Sequence, residues 1–261
     1  MKVGYIQTSP VFGNKEENFS QIEGLTKGIE ADLLVLPELF ATGYNFQSKK
    51  EATDLAENTN GITAEFLKDL SMKTGAIVIG GFAEKDGDHL FNSALVVYQN
   101  YFKGRYRKVH LYYKEKLWFA PGNKGFEIFT IQNLRLGVMI CFDWIFPESA
   151  RSLALSGAQI IAHPANLVLP YCQNAMVTRC LENRVFAITA NRIGTEKRGK
   201  DEFSFTGQSQ ITSQKGEVLS SAPKDQAHVD IIEINENLAD NKDLNEYNNL
   251  FKDRRSDCYK I

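Results

Sequence analysis

Short apolar runs alternate with amphipathic segments along the whole chain, which is the pattern of an α/β fold. In the first half, apolar residues at Phe19, Ile22, Leu25 and Ile29 have helical spacing between two apolar strands. The pattern predicts strands over 3–7, 33–36 and 76–81, helices over 17–29 and 63–73, and a hairpin from 93–99 and 104–108.

The second half repeats this order of elements. The sequence pattern of residues 135–140 resembles that of residues 2–7. The pattern of residues 157–164 resembles that of residues 30–37, and each of these two segments ends in proline. The predicted elements are strands over 135–140, 157–164 and 185–191, helices over 149–156 and 175–183, and a hairpin from 209–212 and 218–220. Chance echoes between α/β units are the alternative, but the matched order favours duplication. We therefore expect one domain over residues 1–261, with two sheets packed face to face and helices outside.

Composition narrows the class of protein. A net charge of −2 gives no electrostatic support for nucleic-acid binding. The apolar runs are too short to span a membrane, and a strand at the N-terminus leaves no room for a signal peptide. The four cysteines lack CxxC pairing, which favours a reduced, cytoplasmic protein. The four histidines lack metal-binding spacing and no nucleotide-binding loop is present, so we expect no cofactor.

The segment 137–143 is the strongest candidate for chemistry. An apolar strand delivers Cys141 onto a polar turn, and Pro147 then opens a predicted helix. Amide N–H dipoles near a helix start can lower a thiol pKa, and the thiolate is the nucleophilic form. The alternative is that Cys141 is a small core residue.

Two further segments carry candidate catalytic groups. Glu38 follows a buried strand and Pro37, in an apolar setting that would move its carboxyl pKa toward that of a general base. Lys108 follows the first hairpin and is a candidate to stabilise an oxyanion. Exposed loop residues are the alternative for both. A Cys–His dyad between Cys141 and His110 is a second hypothesis, although a histidine between apolar neighbours is more often a packed core residue.

Taken together, these segments resemble the nitrilase superfamily of carbon–nitrogen hydrolases. The motifs are Leu36-Pro37-Glu38, Tyr106-Arg107-Lys108-Val109-His110-Leu111 and Cys141-Phe142-Asp143-Trp144-Ile145-Phe146-Pro147-Glu148. The resemblance continues through 115–116, 121–122, 164–166 and 179–184, and so covers essentially the whole chain. It implies a four-layer αββα sandwich with internal pseudo-two-fold duplication, in agreement with the repeated pattern.

The resemblance also implies roles for particular residues. Glu38 would be the base, Lys108 the electrostatic partner, Cys141 the nucleophile and Glu115 a second glutamate that orients the site. The Phe142 N–H and the Lys108 ammonium would form the oxyanion hole. Many family amidases carry arginine three residues after the cysteine, where this chain has Trp144. Trp144 would favour a small, uncharged or partly apolar substrate. The candidate substrate-binding residues are Trp144, Phe142, Asn166 and Tyr44.

The implied activity is hydrolysis of small amides through a cysteine thioester, with release of ammonia. Nitrile hydrolysis is the alternative, because the 141–151 and 163–168 segments resemble compact members described as nitrilases. A non-catalytic binding protein on the same fold is the third hypothesis. The resemblance also implies a homodimer, with the segment 238–261 at its interface and Leu250, Phe251 and Tyr259 as anchors.

Overall fold

Two six-stranded β-sheets form the centre of the computed structural model, which describes residues 1–260. The strands of the described residues are β1 (Lys2–Gln7), β2 (Leu33–Val35), β3 (Ile77–Asp86), β4 (His89–Tyr98), β5 (Tyr101–Arg107), β6 (Ile128–Ile131), β7 (Leu134–Val138), β8 (Ile160–Pro164), β9 (Phe186–Ala190), β10 (Thr195–Arg198), β11 (Asp201–Ser204), β12 (Gln210–Thr212), β13 (Val218–Ser221) and β14 (His228–Glu233). The α-helices of the same residues are α1 (Lys15–Thr26), α2 (Lys49–Leu55), α3 (Ile62–Thr74), α4 (Glu115–Trp118), α5 (Pro147–Leu155) and α6 (Cys172–Asn183). Short 3-10 helices lie at Cys141–Ile145, Glu236–Asp240 and Ser256–Cys258.

The two sheets have the same internal order, which confirms the duplication. The first runs β14-β1-β2-β3-β4-β5, and the second runs β6-β7-β8-β9-β12-β13. In each sheet, three central strands are parallel, and antiparallel strands flank them, one on one side and two on the other. Strands β10 and β11 form a separate hairpin.

Alternating side chains of the strands build two layers of core. In β2, Leu33 and Val35 belong to the core between the sheets, where β1 and β2 pack against β8 and β9. The next residues, Leu34 and Leu36, face the helices α1 and α3. Each such buried side chain contributes about 1.5–3 kcal/mol. The result is the expected αββα sandwich, with the helices on the outer faces.

The predicted elements are present, with shifted ends. Helix α1 begins at Lys15 because the Asn14 side chain caps it, accepting a hydrogen bond from the Glu17 N–H at 3.2 Å. The predicted end at Ile29 was wrong, since α1 ends at Thr26 and Gly28 adopts a φ of +75°. Helix α2, strands β6 and β14, and the β10–β11 hairpin had no prediction. No helix of residues 1–260 is long and apolar enough to cross a membrane.

Candidate active site

Three loops that follow strands bring the candidate catalytic residues together. Glu38 follows β2, Lys108 follows β5 directly, and Cys141 begins the 3-10 helix that follows β7. The Glu38 and Lys108 side chains are fully buried, and Cys141 is 6 % exposed. The exposed-loop alternative for Glu38 and Lys108 is therefore wrong.

Lys108 is held between two carboxylates. Its Nζ donates to Glu38 Oε1 at 2.6 Å and to Glu115 Oε1 at 2.8 Å. Burial alone would lower the pKa of Lys108, but the charges of Glu115 and Glu38 outweigh burial and raise it. Lys108 is therefore an ammonium group throughout the neutral range. Two of its three N–H bonds are directed at carboxylates, which leaves one for a third acceptor.

Glu115, the first residue of α4, accepts hydrogen bonds from four donors, one of which is Asn92 Nδ2 at 3.5 Å from Oε2. Its carboxylate accepts from Lys108, from the Tyr44 hydroxyl at 2.9 Å and from the Tyr112 N–H at 3.3 Å. Burial raises the pKa of Glu115 to about 7, with the charge of Lys108 opposing and the charge of Glu38 adding to the shift. The structure places Glu115 in the buried cluster beside Lys108, and the alternative of a plain solvated turn is wrong.

Asn92 is a member of the cluster that the sequence analysis missed. It lies in β4, and its Nδ2 donates to Glu38 Oε1 at 2.7 Å. The signal in the sequence was an asparagine within a strand of mainly apolar residues. Because Lys108 and Asn92 both bind Oε1, the other oxygen, Glu38 Oε2, is buried without a hydrogen-bond partner. That oxygen is free to accept a proton from another group in the site.

Cys141 occupies a strained backbone position at the start of its turn. Its φ is +42°, in the left-handed region that costs a non-glycine residue about 1–3 kcal/mol. Its Sγ lies 3.7 Å from the Asn166 carbonyl. Burial, followed by the charge of Glu38, raises the pKa of the thiol well above its ordinary value, despite the opposing effect of Lys108. The expectation of a lowered thiol pKa was wrong, because burial and carboxylate charge prevail, and the resting cysteine is a neutral thiol.

Asp143 anchors the turn that carries Cys141. Its carboxylate is buried and accepts from the Ile140 N–H at 2.9 Å, the Tyr106 hydroxyl at 2.7 Å and the His110 N–H at 3.1 Å. The His110 ring Nδ1 also lies 2.8 Å from Asp143 Oδ1. The hydrogen bond of His110 therefore goes to Asp143, and the structure gives no support to a Cys141–His110 dyad.

A narrow crevice opens beside the thiol. Its walls are Tyr112, Cys141, Phe142, Trp144, Asn166, Leu167, Val168 and Leu169. Three of the four predicted substrate-binding residues, Phe142, Trp144 and Asn166, thus line it. Both polar side-chain atoms of Asn166 are buried without a partner. Tyr44 is not among the lining residues, and its hydroxyl donates to Glu115 Oε1. The lining residues of the crevice include no Asp, Glu, Lys, Arg or His.

The close passage of two backbones positions Glu38. A Cβ on Gly81 of β3 would lie 2.5 Å from Glu38 Cα and 2.7 Å from the Leu39 nitrogen. Only glycine permits this approach.

Residues 1–260 contain no group of three or more His, Cys, Asp or Glu side chains placed to hold a metal ion.

The candidate site thus gathers a thiol, an ammonium group and a carboxylate with one unpartnered oxygen on a duplicated αββα sandwich. The chain belongs to the carbon–nitrogen hydrolase family, whose model matches residues 2–242. The protein is accordingly an enzyme that hydrolyses carbon–nitrogen bonds.

Relatives and solved structures agree with this assignment. The chain is 49 % identical to a nitrilase of Pyrococcus abyssi over 99 % of each chain. It is 31 % identical to an (R)-stereoselective amidase of a Pseudomonas species, covering 98 % of this chain and 92 % of the relative. Its fold matches the crystal structure of a carbon–nitrogen hydrolase from Helicobacter pylori G27 with a TM-score of 0.87 and 26 % identity, over 99 % of this chain and 97 % of the other.

Proposed function

We propose that the protein hydrolyses small, uncharged amides and nitriles through a thioester on Cys141. The observation that carries this proposal is the unpartnered Oε2 of Glu38 in the same buried cluster as Lys108, with a neutral thiol nearby. A neutral thiol needs a base before it attacks, and Glu38 has an oxygen free to take the proton.

In the amide reaction, Glu38 takes the thiol proton as Sγ bonds to the carbonyl carbon. The oxyanion of the tetrahedral intermediate accepts hydrogen bonds from Lys108 Nζ and the Phe142 N–H. Glu38 passes its proton to the nitrogen, the C–N bond breaks, and ammonia leaves a thioester. A water then gives a proton to Glu38 while its oxygen attacks the thioester. The C–S bond breaks, Sγ regains a proton and the carboxylic acid leaves.

A nitrile reaches the same thioester by a longer route. Sγ adds to the nitrile carbon and the nitrogen gains the thiol proton, which gives a thioimidate. Water adds to that carbon and ammonia leaves, so the second half of the reaction is shared. The cysteine context Cys141-Phe142-Asp143 favours amides, whereas the full-length relative at 49 % identity, named a nitrilase, favours nitriles.

Ammonia release from matched pairs of small aliphatic nitriles and amides tests the proposal and orders the two substrates. The wild type should release ammonia from the nitrile, the amide or both in at least one pair. The Cys141→Ala variant should keep its fold and release none. Release by Cys141→Ala at the wild-type rate would refute the thioester mechanism. Silence of the wild type on both classes would refute the proposal for amides and nitriles, and would shift weight to N-carbamoyl substrates, whose branch the Cys141-Phe142-Asp143 context also resembles, or to a non-catalytic role.

We also propose that Asn166 and Trp144 select the substrate. The unpartnered amide group of Asn166 would bind the polar end of the substrate, and Trp144 would contact its apolar part. Tyr44 would act on the substrate only through Glu115. An Asn166→Ala variant should lose at least tenfold in kcat/KM, since a buried polar group of the substrate would lose its partner. An unchanged kcat/KM would contradict this role for Asn166.

Finally, we propose one cytoplasmic domain that assembles as a homodimer through the segment 238–261. All four cysteines are free thiols, as expected in a reducing compartment. Tyr259 is 48 % exposed and available to a partner, whereas Phe251 already packs under Lys242 Nζ at 4.9 Å from its ring. Ile261 lies outside the described residues. Light scattering that finds only monomer at micromolar concentration would contradict the dimer.

A further inference from the structure

His163 is a buried titratable residue that the proposed mechanism does not use. It lies in β8, in the core, with no exposed surface. Its Nε2 is 3.0 Å from the carbonyl oxygen of Cys141, and its Nδ1 is 3.1 Å from the Thr189 hydroxyl. An imidazole held against the main chain of the candidate nucleophile, and not against its thiol, calls for a separate explanation.

The hydrogen bonds of His163 fix its proton. A carbonyl oxygen only accepts, so Nε2 carries the hydrogen that the Cys141 oxygen receives. Burial lowers the pKa of His163 to about 4, so the ring is neutral at neutral pH. Nδ1 is then an acceptor, and the Thr189 hydroxyl donates to it. Thr189 thereby selects the tautomer that can hold Cys141.

Holding the Cys141 carbonyl also orients the next N–H. In a trans peptide the C=O and the following N–H point in opposite directions. If the Cys141 oxygen is drawn toward His163 in the core, the Phe142 N–H is directed away from the core. Cys141 and Phe142 line the crevice, and within residues 1–260 the Phe142 N–H makes no backbone hydrogen bond outside its own turn. The positive φ of Cys141 means that this peptide needs an external restraint.

We propose that His163 is a positioning residue, which holds the Cys141–Phe142 peptide so that the Phe142 N–H meets the oxyanion. The inference rests on the proposed function, because the oxyanion belongs to that reaction. His163 itself touches no reacting atom.

The test compares His163→Leu with His163→Gln, both in a Cys258→Ser background that removes the exposed thiol. Leucine removes the donor, whereas the glutamine amide nitrogen can take the place of Nε2. His163→Leu should lose about 100-fold in kcat, the usual cost of one oxyanion donor, with KM changed less than threefold. His163→Gln should recover at least tenfold of that loss.

Two thiol reagents distinguish a positioning role of His163 from general damage to the site. Methyl methanethiolsulfonate reacts with the thiol without forming an oxyanion, so its rate at Cys141 should stay within threefold in His163→Leu. A small aliphatic aldehyde forms a tetrahedral adduct on the thiol, so its affinity should fall in proportion to kcat/KM. Thr189→Val removes the hydroxyl that selects the His163 tautomer. It should lower kcat about fivefold, weaken aldehyde binding and leave the thiosulfonate rate unchanged. This variant replaces His163→Leu if the latter does not fold.

Three results would overturn the inference. These are an unchanged kcat in both His163→Leu and Thr189→Val, equal losses in kcat and in thiosulfonate reactivity, and no rescue by glutamine. If the wild type releases no ammonia, the proposed function fails instead. The aldehyde comparison still decides the role of His163 in that case, because adduct formation needs no turnover.

Discussion

Replacing Lys108 with methionine removes the single positive charge between two buried carboxylates. The Nζ of Lys108 lies 2.6 Å from Glu38 Oε1 and 2.8 Å from Glu115 Oε1, and the lysine side chain is fully buried. Methionine has a similar length and packs easily, so the change is mainly one of charge. Breaking a buried ion pair by removing one partner costs about 3–5 kcal/mol, because the other partner remains buried and uncompensated.

The cost should depend on pH in a defined direction. Burial already raises the pKa of Glu115 to about 7 with Lys108 present, and loss of the lysine raises it further. The folded variant then binds protons more tightly than the unfolded chain, in which a glutamate has a pKa of about 4.3. Protonation relieves the penalty at about pH 5, and the penalty grows as the pH rises through the folded pKa.

Urea unfolding followed by circular dichroism measures this cost, at one protein concentration for all variants. We expect Lys108→Met to lose about 3–5 kcal/mol at about pH 8 and roughly half of that at about pH 5. The double variant Lys108→Met/Glu115→Gln is the matched control, and it should regain part of the loss at about pH 8. A penalty that is the same at both pH values, or smaller than about 1 kcal/mol, would refute the charge argument.

Two further predictions concern Glu38 and the glycine that packs against it, Gly81. Glu38→Gln should slow the reaction of Cys141 with methyl methanethiolsulfonate at least tenfold at neutral pH, because the thiol loses its base. If Glu38 acted only through its negative charge, its removal would lower the pKa of the Cys141 thiol and the reaction would become faster. Gly81→Ala should cost about 1–3 kcal/mol of stability and at least tenfold in kcat, since its Cβ meets the Glu38 backbone. Gly24→Ala is the control: it lies in helix α1 with nothing within 4 Å of the added Cβ, so it should leave kcat unchanged and raise stability by about 0.5–1 kcal/mol.

The parts of the fold that the sequence could predict are those with local signals. Hydrophobic periodicity located the paired strands and main helices of both halves, and three short motifs located Glu38, Lys108 and Cys141. Strand β14 was missed because its residues are only half-buried and do not alternate clearly between apolar and polar positions. The β10–β11 hairpin was missed because its side chains are largely polar.

The site geometry that the sequence could not predict depends on contacts between distant segments. Glu38 and Lys108 are 70 residues apart, and Asn92 is 54 residues from Glu38. No spacing rule connects such positions. The direction of the Cys141 pKa shift was also beyond reach, because it is decided by burial and by the charge of Glu38, which exist only in the folded chain.

The most direct test of the account is to trap the thioester. The wild type and the Cys141→Ala variant are mixed with a small amide or nitrile substrate, quenched in acid within milliseconds to minutes, and digested for mass spectrometry. If Cys141 is the nucleophile, the wild type carries an acyl group on the peptide that contains Cys141, and on no other cysteine peptide. Ammonia release by the wild type without any adduct on that peptide at any time, together with full activity of Cys141→Ala, would refute the thioester mechanism.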